Sequence, residues 1–403
     1  MTAALALRHA QVLVSDHCNH ACAHCYQVHG QKGEMDLPAI VRLFDELARA
    51  GVLFLVLSGG EATLRPDLPE ILRAARARGF AITLMTNGYA LSDALHAAIV
   101  ATGVWRVRIS IYSDLLEEHD AVTRVPGSFV RTCANIQRLR AAKVQVDLTT
   151  PMTSFSTATV PRLRALGAKL TCPITVAAGM TAKEDGSLAS LAVAATPAQL
   201  GAFFTELEQV KVIPSVDEKK NSSPCGVCTE SLTVHSDGSV RACTHIPGFL
   251  SKARGGVASA MASPSYQFVG SIRWRDLHGC RDCALLPYCS RCHGSAAFEA
   301  GDMLGPQPSA CRSARVRYET HHSPLETLSA VDPAVGPRDA NVGPFELVAT
   351  VSATGLRPIA DVLTERDHEL GKQFPWVRRA TAASPTKPIP TRRLLRRAVT
   401  VKE

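Results

Sequence analysis

Cys18, Cys22 and Cys25 place three thiols within eight residues, with three and then two positions between them. Thiolates are soft ligands, and three on one short loop can hold three irons of a cubane iron–sulfur cluster. The fourth iron then has no protein ligand. An open position on a metal can bind a small molecule directly, as it does in catalytic zinc sites. A structural zinc site wants four ligands at paired spacing, which this loop does not offer, and unrelated thiols are the remaining reading. Eight more thiols lie between residues 225 and 311: Cys225, Cys228, Cys243, Cys280, Cys283, Cys289, Cys292 and Cys311. Eight is the number that ligates two complete four-iron clusters, and two zinc ribbons suit the same two-residue gaps. Cys133 and Cys172 fall in apolar-periodic segments and read as core.

The elements that must position these groups alternate. A strand at 12–15 delivers the first cysteine loop. A helix follows at 36–50, with Asp36 as N-cap and Ile40, Leu43, Phe44 and Leu47 at helical spacing. The apolar run 52–57 has strand length and suits a parallel strand buried on both faces. Helices at 67–79, 91–101, 128–142 and 159–167 then alternate with strands at 81–86, 104–111, 144–150 and 169–176. Repeated strand–helix units imply a parallel sheet with helices outside it. In parallel barrels the chemistry sits at the C-terminal ends of the strands. Ser58-Gly59-Gly60-Glu61 ends the second strand, Thr86-Asn87-Gly88 the third, and Ser110 the fourth. Read locally, these are a tight turn that lets backbone approach a ligand, an ordinary turn, and a polar residue facing a barrel interior.

In the cysteine loop and these strand-end motifs the chain resembles the radical S-adenosylmethionine (radical SAM) superfamily. The resemblance implies an α/β fold with a partial (β/α)6 TIM-like barrel. It also implies that Cys18, Cys22 and Cys25 hold a 4Fe-4S cluster whose open iron is chelated by S-adenosylmethionine (SAM). Reductive cleavage would then give a 5′-deoxyadenosyl radical that takes a hydrogen atom from the substrate. By position, Gly59, Gly60 and Glu61 match the family's GGE motif at the SAM amino group. Asn87 matches a polar residue near the methionine or ribose, and Ser110 a serine that contacts SAM. His119-Asp120 and Val125-Pro126-Gly127-Ser128-Phe129 resemble a segment of peptide-modifying members. Arg124, one place out of the common register, is the candidate for the SAM carboxylate. His24 departs from the family's aromatic residue before the third cysteine. No G-x-I-x-G-x-x-E segment occurs at the fifth strand, where Leu148-Thr149-Thr150-Pro151 stands, so the adenine contacts are unassigned. No catalytic side chain is singled out.

Gly238, with four residues between it and Cys243, and the five-residue gap before Cys289 make the second half similar to the SPASM domain of peptide and protein maturases. The one departure is two residues, not three, between Cys289 and Cys292. Carried over by position, Cys225, Cys228, Cys243 and Cys292 would ligate one auxiliary 4Fe-4S cluster, and Cys280, Cys283, Cys289 and Cys311 the other. The segment 231–240, with Asp237-Gly238, reads as a hairpin. Three segments result: a radical SAM barrel over 1–210, a cysteine-rich SPASM-type domain over 211–320, and an extension over 321–403. In the extension, 345–352 reads as a strand, 358–370 as a helix, and the last ~30 residues as a flexible basic tail.

The net charge of +8 is confined to that tail. Residues 371–403 hold nine Lys or Arg and one acid, and the remaining 370 residues balance at 35 of each sign. The folded part therefore carries no electrostatic footprint for nucleic acid. The apolar run at 52–57 is far short of the ~20 residues that span a membrane. Arg8 and His9 interrupt the place of a secretory signal, so the chain reads as cytoplasmic. The function expected is a maturase that cross-links, epimerises or oxidises a ribosomally made peptide or a protein. The alternatives are a sulfatase-type formylglycine maturase, a tetrapyrrole- or haem-modifying enzyme, and a non-enzymatic electron carrier or zinc-binding module. Its partners would be the peptide or protein substrate and a flavodoxin- or ferredoxin-type reductant. If the substrate has a leader, its leader-peptide-binding protein would be a separate one, because the barrel begins within the first dozen residues.

Overall fold

The computed structural model describes residues 7–30, 32–207, 213–246, 248, 250–251 and 255–322. The strand at 345–352, the helix at 358–370 and the basic tail lie outside the described residues. The first half runs β1 (His9–Ser15), α1 (Leu37–Arg49), β2 (Phe54–Gly59), α2 (Leu68–Ala77), β3 (Ala81–Thr86), α3 (Asp93–Thr102) and β4 (Arg106–Ser110). It continues with α4 (Leu116–Thr123), α5 (Ser128–Ala141), β5 (Val146–Pro151), α6 (Val160–Lys169) and β6 (Ile174–Ala177). The six strands pair in sequence order and all in parallel, as the alternation predicts. Asp36 caps α1 by accepting from the Ala39 N–H at 2.8 Å. Gly103, at φ +58°, closes α3 in the left-handed conformation that glycine adopts without strain.

The outward face of the strands is sealed under the helices. Val12, Val14, Leu55, Leu57, Ile82, Leu84, Val107, Ile109, Val146 and Leu148 form one core with Phe44 and Leu47 of α1, Ile71 of α2 and Ile136 of α5. Each such side chain contributes roughly 1.5–3 kcal/mol by leaving water. The expectation that 52–57 is buried on both faces needs correction. Leu55 and Leu57 are buried, but Phe54 and Val56 are only half-buried, and Leu53 is exposed at the N-terminal end. Half-buried and buried residues alternate along β2, so its two faces are covered unequally. No helix among the described residues is long and apolar enough to cross a membrane.

The sequence reading leaves 112–127 without a helix, yet α4 lies there. Its role explains the His119-Asp120 and Gly127-Ser128-Phe129 pattern. The Asp120 carboxylate accepts from the N–H of Gly127 (2.6 Å), the hydroxyl of Ser128 (2.7 Å) and the N–H of Phe129 (2.9 Å). One helix thus caps the next. Burial opposes ionisation of Asp120, but these bonds and neighbouring His119 hold its carboxyl below the usual range. Asp120→Ala is expected to cost about 1–2 kcal/mol by thermal unfolding at neutral pH. Because the folded-state pKa is depressed, the difference from the native chain should persist above about pH 4 and shrink as pH falls through the folded value. An Asp120→Ala chain as stable as the native one at pH 7 would remove this role.

The second half contributes α7 (Pro197–Leu207), α8 (Val216–Asn221), β7 (Ser231–Val234), β8 (Val240–Arg241), α9 (Gly256–Ala262), α10 (Pro264–Ser271), α11 (His293–Ala300) and α12 (Pro308–His321). β7 and β8 form the expected antiparallel hairpin. Asp237 accepts from the Ser239 N–H at 2.9 Å across its turn, with Gly238 at φ +79°. The sequence does not disclose that β7 also pairs in parallel with β1, giving one sheet in the order β6-β5-β4-β3-β2-β1-β7-β8. Leu232, Val234, Val240 and Ala242 accordingly join the same core as Val12 and Val14. α12 returns to the barrel side, where Val316 packs with Leu200, Phe203 and Phe204 of α7. Cys172 is buried and Cys133 packs against the core, as their apolar settings predict.

Candidate functional site

The first cysteine loop leaves β1 at a register irregularity between Leu13 and Ser15. It is tied down on two sides. The N–H groups of Ala21 and Ala23 donate to the carbonyls of Thr123 (3.2 Å) and Val122 (3.0 Å), which end α4. Asn87 Nδ2 donates to Asn19 Oδ1 at 2.8 Å, joining the end of β3 to the loop. The His20 N–H donates to Cys18 Sγ at 3.4 Å, and the Tyr112 hydroxyl lies 3.9 Å from Cys22 Sγ. His29 Nε2 lies 3.5 Å from Cys25 Sγ. Burial is the main reason all three thiols hold their protons strongly. It pushes Cys18 up to about 11, it pushes Cys22 up to about 12 with help from Cys25, and it raises Cys25. Thiolate ligands must shed those protons on binding metal.

The turn after β2 presses against this loop. The Gly60 N–H donates to the Ser15 carbonyl at 2.8 Å and the Glu61 N–H to the His17 carbonyl at 2.7 Å. A Cβ on Gly59 would stand 2.5 Å from the Ser15 oxygen, and one on Gly60 2.3 Å from the His17 oxygen. Both positions therefore require glycine for close backbone approach. The Glu61 carboxylate is 1% exposed. It accepts from the N–H and hydroxyl of Thr63 (3.0 and 2.6 Å), the Thr86 hydroxyl (2.6 Å) and the Asn87 N–H (2.7 Å). Its acceptor sites are thus largely taken by its own chain, and the side chain clamps the ends of β2 and β3 together.

Ser110 ends β4 level with Thr149 of β5, with the Tyr112 phenol among its near neighbours. The His24 ring packs on Tyr112 with centroids 4.9 Å apart, and its buried Nδ1 has no partner among the described residues. Burial lowers His24 to about 4, so the ring is neutral at pH 7. Arg124 is the exposed residue after α4, at φ +59°, and its side chain makes no hydrogen bond or ion pair among the described residues. The fold thus gathers Cys18, Cys22, Cys25, Gly59, Gly60, Glu61, Asn87 and Ser110 at the C-terminal edge of β1–β4. Arg124 borders them through Thr123. Asn19 and Tyr112 also belong to this edge. Nothing in their local sequence marks them, because their partners are strand ends far away in the chain.

Among the later thiols, Cys225, Cys228, Cys243, Cys280, Cys289 and Cys311 are raised by burial first and then by the charge of neighbouring cysteines. Cys225 is raised by Cys292, Cys228 by Cys243 and Cys225, and Cys243, up to about 12, by Cys292 and Cys225. Cys280, up to about 11, is raised by Cys283, and Cys289, up to about 12, by Cys280 and Cys283. Cys311 is raised well above its usual value, with Cys289, Cys280 and Cys283 contributing. The thiols near enough to act on one another are Cys225, Cys228, Cys243 and Cys292 in one group and Cys280, Cys283, Cys289 and Cys311 in another. Among the described residues no three Cys, His, Asp or Glu side chains converge on a point that could hold one ion. Two glycines that the sequence reading passes over make this packing possible. A Cβ on Gly270 would stand 2.2 Å from the Cys228 oxygen, and one on Gly294 2.1 Å from the His245 oxygen.

Residues 12–162 match the family model described as the radical SAM superfamily. An AdoMet-dependent heme synthase of Methanosarcina barkeri is 36% identical over 136 residues, covering 33% of this chain and 39% of that protein. A PqqA peptide cyclase of Ruegeria pomeroyi is 35% identical over 138 residues, covering 34% and 37%. The chain therefore aligns with less than half the length of these relatives. Among solved structures, Streptococcus suis SuiB bound to precursor peptide SuiA is similar in fold, with a TM-score of 0.56 at 14% identity over 76% of each chain. Native anSMEcpe with bound AdoMet has a TM-score of 0.59 at 14% identity, over 77% of this chain and 96% of that one. The sequence match lies across the cysteine loop and the first five strands, so it is over residues 12–162 that the chain is similar to the radical SAM superfamily.

Proposed function

We propose that the chain is an enzyme that cleaves SAM reductively and removes a hydrogen atom from a ribosomally made peptide or a protein. The outcome would be a cross-link, an inverted centre or an oxidised residue. The observation that carries this reading is the gathering of Cys18, Cys22 and Cys25 on one tethered loop against the Gly59–Glu61 turn, at the strand ends of an open parallel barrel. A 4Fe-4S cluster held by those thiols supplies the reductive cleavage of SAM. The chain's own residues do the rest. Gly59 and Gly60 keep the turn thin enough for close approach, Glu61 fixes that turn to β3, and Asn87 holds the cysteine loop in place. Ser110 presents a hydroxyl at the inner edge, and the barrel walls exclude water from the reacting atoms.

Arg124 is assigned to the SAM carboxylate because its guanidinium is uncommitted and borders the loop. Arg124→Ala is expected to weaken SAM binding to the reconstituted protein about tenfold. Its melting temperature should not change, since the side chain holds nothing else. An unchanged Kd would take Arg124 out of the site. Residues 1–210 would carry this chemistry. Residues 211–320 would hold two auxiliary 4Fe-4S clusters, on Cys225, Cys228, Cys243 and Cys292 and on Cys280, Cys283, Cys289 and Cys311, which accept an electron or bind substrate.

The peptide class is supported by relatives named as a PqqA peptide cyclase and as mycofactocin maturases, and by the peptide-bound SuiB fold neighbour. A second reading, a tetrapyrrole-modifying enzyme, is favoured by the likeness to heme synthases. A flavodoxin- or ferredoxin-type protein would supply electrons, and a separate protein would present any leader peptide. The test is label transfer: per-deuterated candidate peptides and tetrapyrroles are incubated anaerobically with reconstituted protein, SAM and a strong reductant, and 5′-deoxyadenosine is weighed. Deuterium arriving from a peptide supports the first reading. Deuterium arriving only from a tetrapyrrole replaces it with the second.

A further inference from the structure

Tyr26 directly follows Cys25, and the proposed chemistry gives it no task. Its ring lies against His245 with centroids 4.5 Å apart and planes 39° apart. Its hydroxyl accepts from Gln27 Nε2 at 3.1 Å, with the Thr244 side chain among its near neighbours. The same Gln27 amide donates to the Gly59 carbonyl at 3.1 Å. The Tyr26 carbonyl accepts from the Glu184 N–H at 2.9 Å, which brings in the segment after β6. On the far side, Thr244 Oγ1 lies 3.1 Å from His245 Nδ1. The N–H groups of His245 and Ile246 both donate to Cys243 Sγ, at 3.4 and 3.3 Å. The His245 carbonyl is the group against which Gly294 of α11 is packed, two residues beyond Cys292.

One half-buried tyrosine therefore joins the first cysteine loop to the loop of Cys243 and reaches the Gly59–Glu61 turn through Gln27. We propose that Tyr26, acting through Thr244 and His245, is a positioning residue. It locks the Cys243 loop to the Cys25 loop, so that the two thiol sets are held as one unit. The physical basis is that a tyrosine in a dry contact offers a rigid ring and one polar tip, and both ends are engaged here. Neither contact is local in sequence, since 219 positions separate Tyr26 from His245. The role rests on the proposed use of both thiol sets as metal ligands, but its first test needs no metal.

In the metal-free full-length chain, the alkylation rate of Cys243 is followed by peptide mass spectrometry in the native protein, Tyr26→Phe and His245→Ala. Tyr26→Phe keeps the ring and loses only the hydroxyl with its bond from Gln27, and unchanged circular dichroism establishes that it folds. Cys243 should react about fivefold faster in Tyr26→Phe, the factor expected from losing one hydrogen bond. It should react faster still in His245→Ala, while Cys172, remote from the stack, keeps its native rate. Equal Cys243 rates in all three proteins would overturn the proposal. A second arm uses reconstituted protein carrying Cys18→Ala, Cys22→Ala and Cys25→Ala, with and without Tyr26→Phe. The electron paramagnetic resonance signal of the remaining iron should shift on adding Tyr26→Phe, although Tyr26 neighbours only the deleted thiols in sequence. Superimposable spectra would also overturn the positioning role. Failure of the native chain to load iron would instead count against the proposed function, and the alkylation arm would still decide this inference.

Discussion

Gly60→Ala is expected to destabilise the protein by about 3 kcal/mol or more and to slow SAM cleavage about a hundredfold. The added methyl would stand 2.3 Å from the His17 oxygen and 2.7 Å from its carbonyl carbon. Both are backbone atoms, so no rotamer change relieves the overlap. Either the turn after β2 or the cysteine loop must move by about an ångström, because packed interiors do not absorb such a volume. His17 immediately precedes Cys18, so the movement passes to the first ligand. Displacement of that size is what costs about two orders of magnitude in a positioned reaction. Gly79→Ala is the control: its Cβ meets nothing within 4 Å, but the backbone is left-handed at φ +81°. It should cost about 1 kcal/mol and leave the rate unchanged. Thermal unfolding and 5′-deoxyadenosine formation, measured on both variants, check the pair. A Gly60→Ala protein that behaves like Gly79→Ala would show that the two loops do not meet as described.

Glu61→Gln should lower stability by about 2–3 kcal/mol. At roughly 2–4 °C per kcal/mol, the melting temperature should fall by about 4–12 °C. The reason is geometric. The two backbone donors bind different carboxylate oxygens, the Thr63 N–H on Oε1 and the Asn87 N–H on Oε2. A glutamine has one oxygen, so in either flip its NH2 group faces one of these N–H donors, and that donor is orphaned in a site with 1% exposure. The hydroxyls of Thr63 and Thr86 can rotate to accept, but the backbone groups cannot. Because Asn87 also holds Asn19, a loosened Asn87 should release the cysteine loop as well. An unchanged melting temperature for Glu61→Gln would mean that the carboxylate is not the clamp between β2 and β3.

Residue type and spacing made the barrel legible. Apolar runs of strand length alternating with helical periodicity at Ile40, Leu43, Phe44 and Leu47 located the strands and helices to within a few residues. The strand-end motifs followed from the rule that parallel strands present chemistry at their C-terminal ends. Three features were hidden because their causes are non-local. The pairing of β7 with β1 leaves no mark on Ser231–Val234, whose burial pattern suits either edge of a sheet. The helix α4 has little amphipathic character, and its value lies in capping α5 and holding the cysteine loop. Glu61 read as a ligand for an ammonium group. The four donors that occupy it come from Thr63, Thr86 and Asn87, and those from Thr86 and Asn87 arrive only once β3 has folded beside β2. The half-buried second face of β2 depends on what packs against each side of the sheet, which an apolar run cannot report.

The central claim is that the Cys18, Cys22 and Cys25 loop supports reductive cleavage of SAM. It is tested most directly by 5′-deoxyadenosine formation from anaerobically reconstituted full-length protein, SAM and a strong reductant, beside a chain carrying Cys18→Ala, Cys22→Ala and Cys25→Ala. The account predicts product from the native chain and none from the variant, with iron still present on the later thiols of both. Native protein that carries its full iron yet forms no 5′-deoxyadenosine would contradict it and leave an electron carrier in its place.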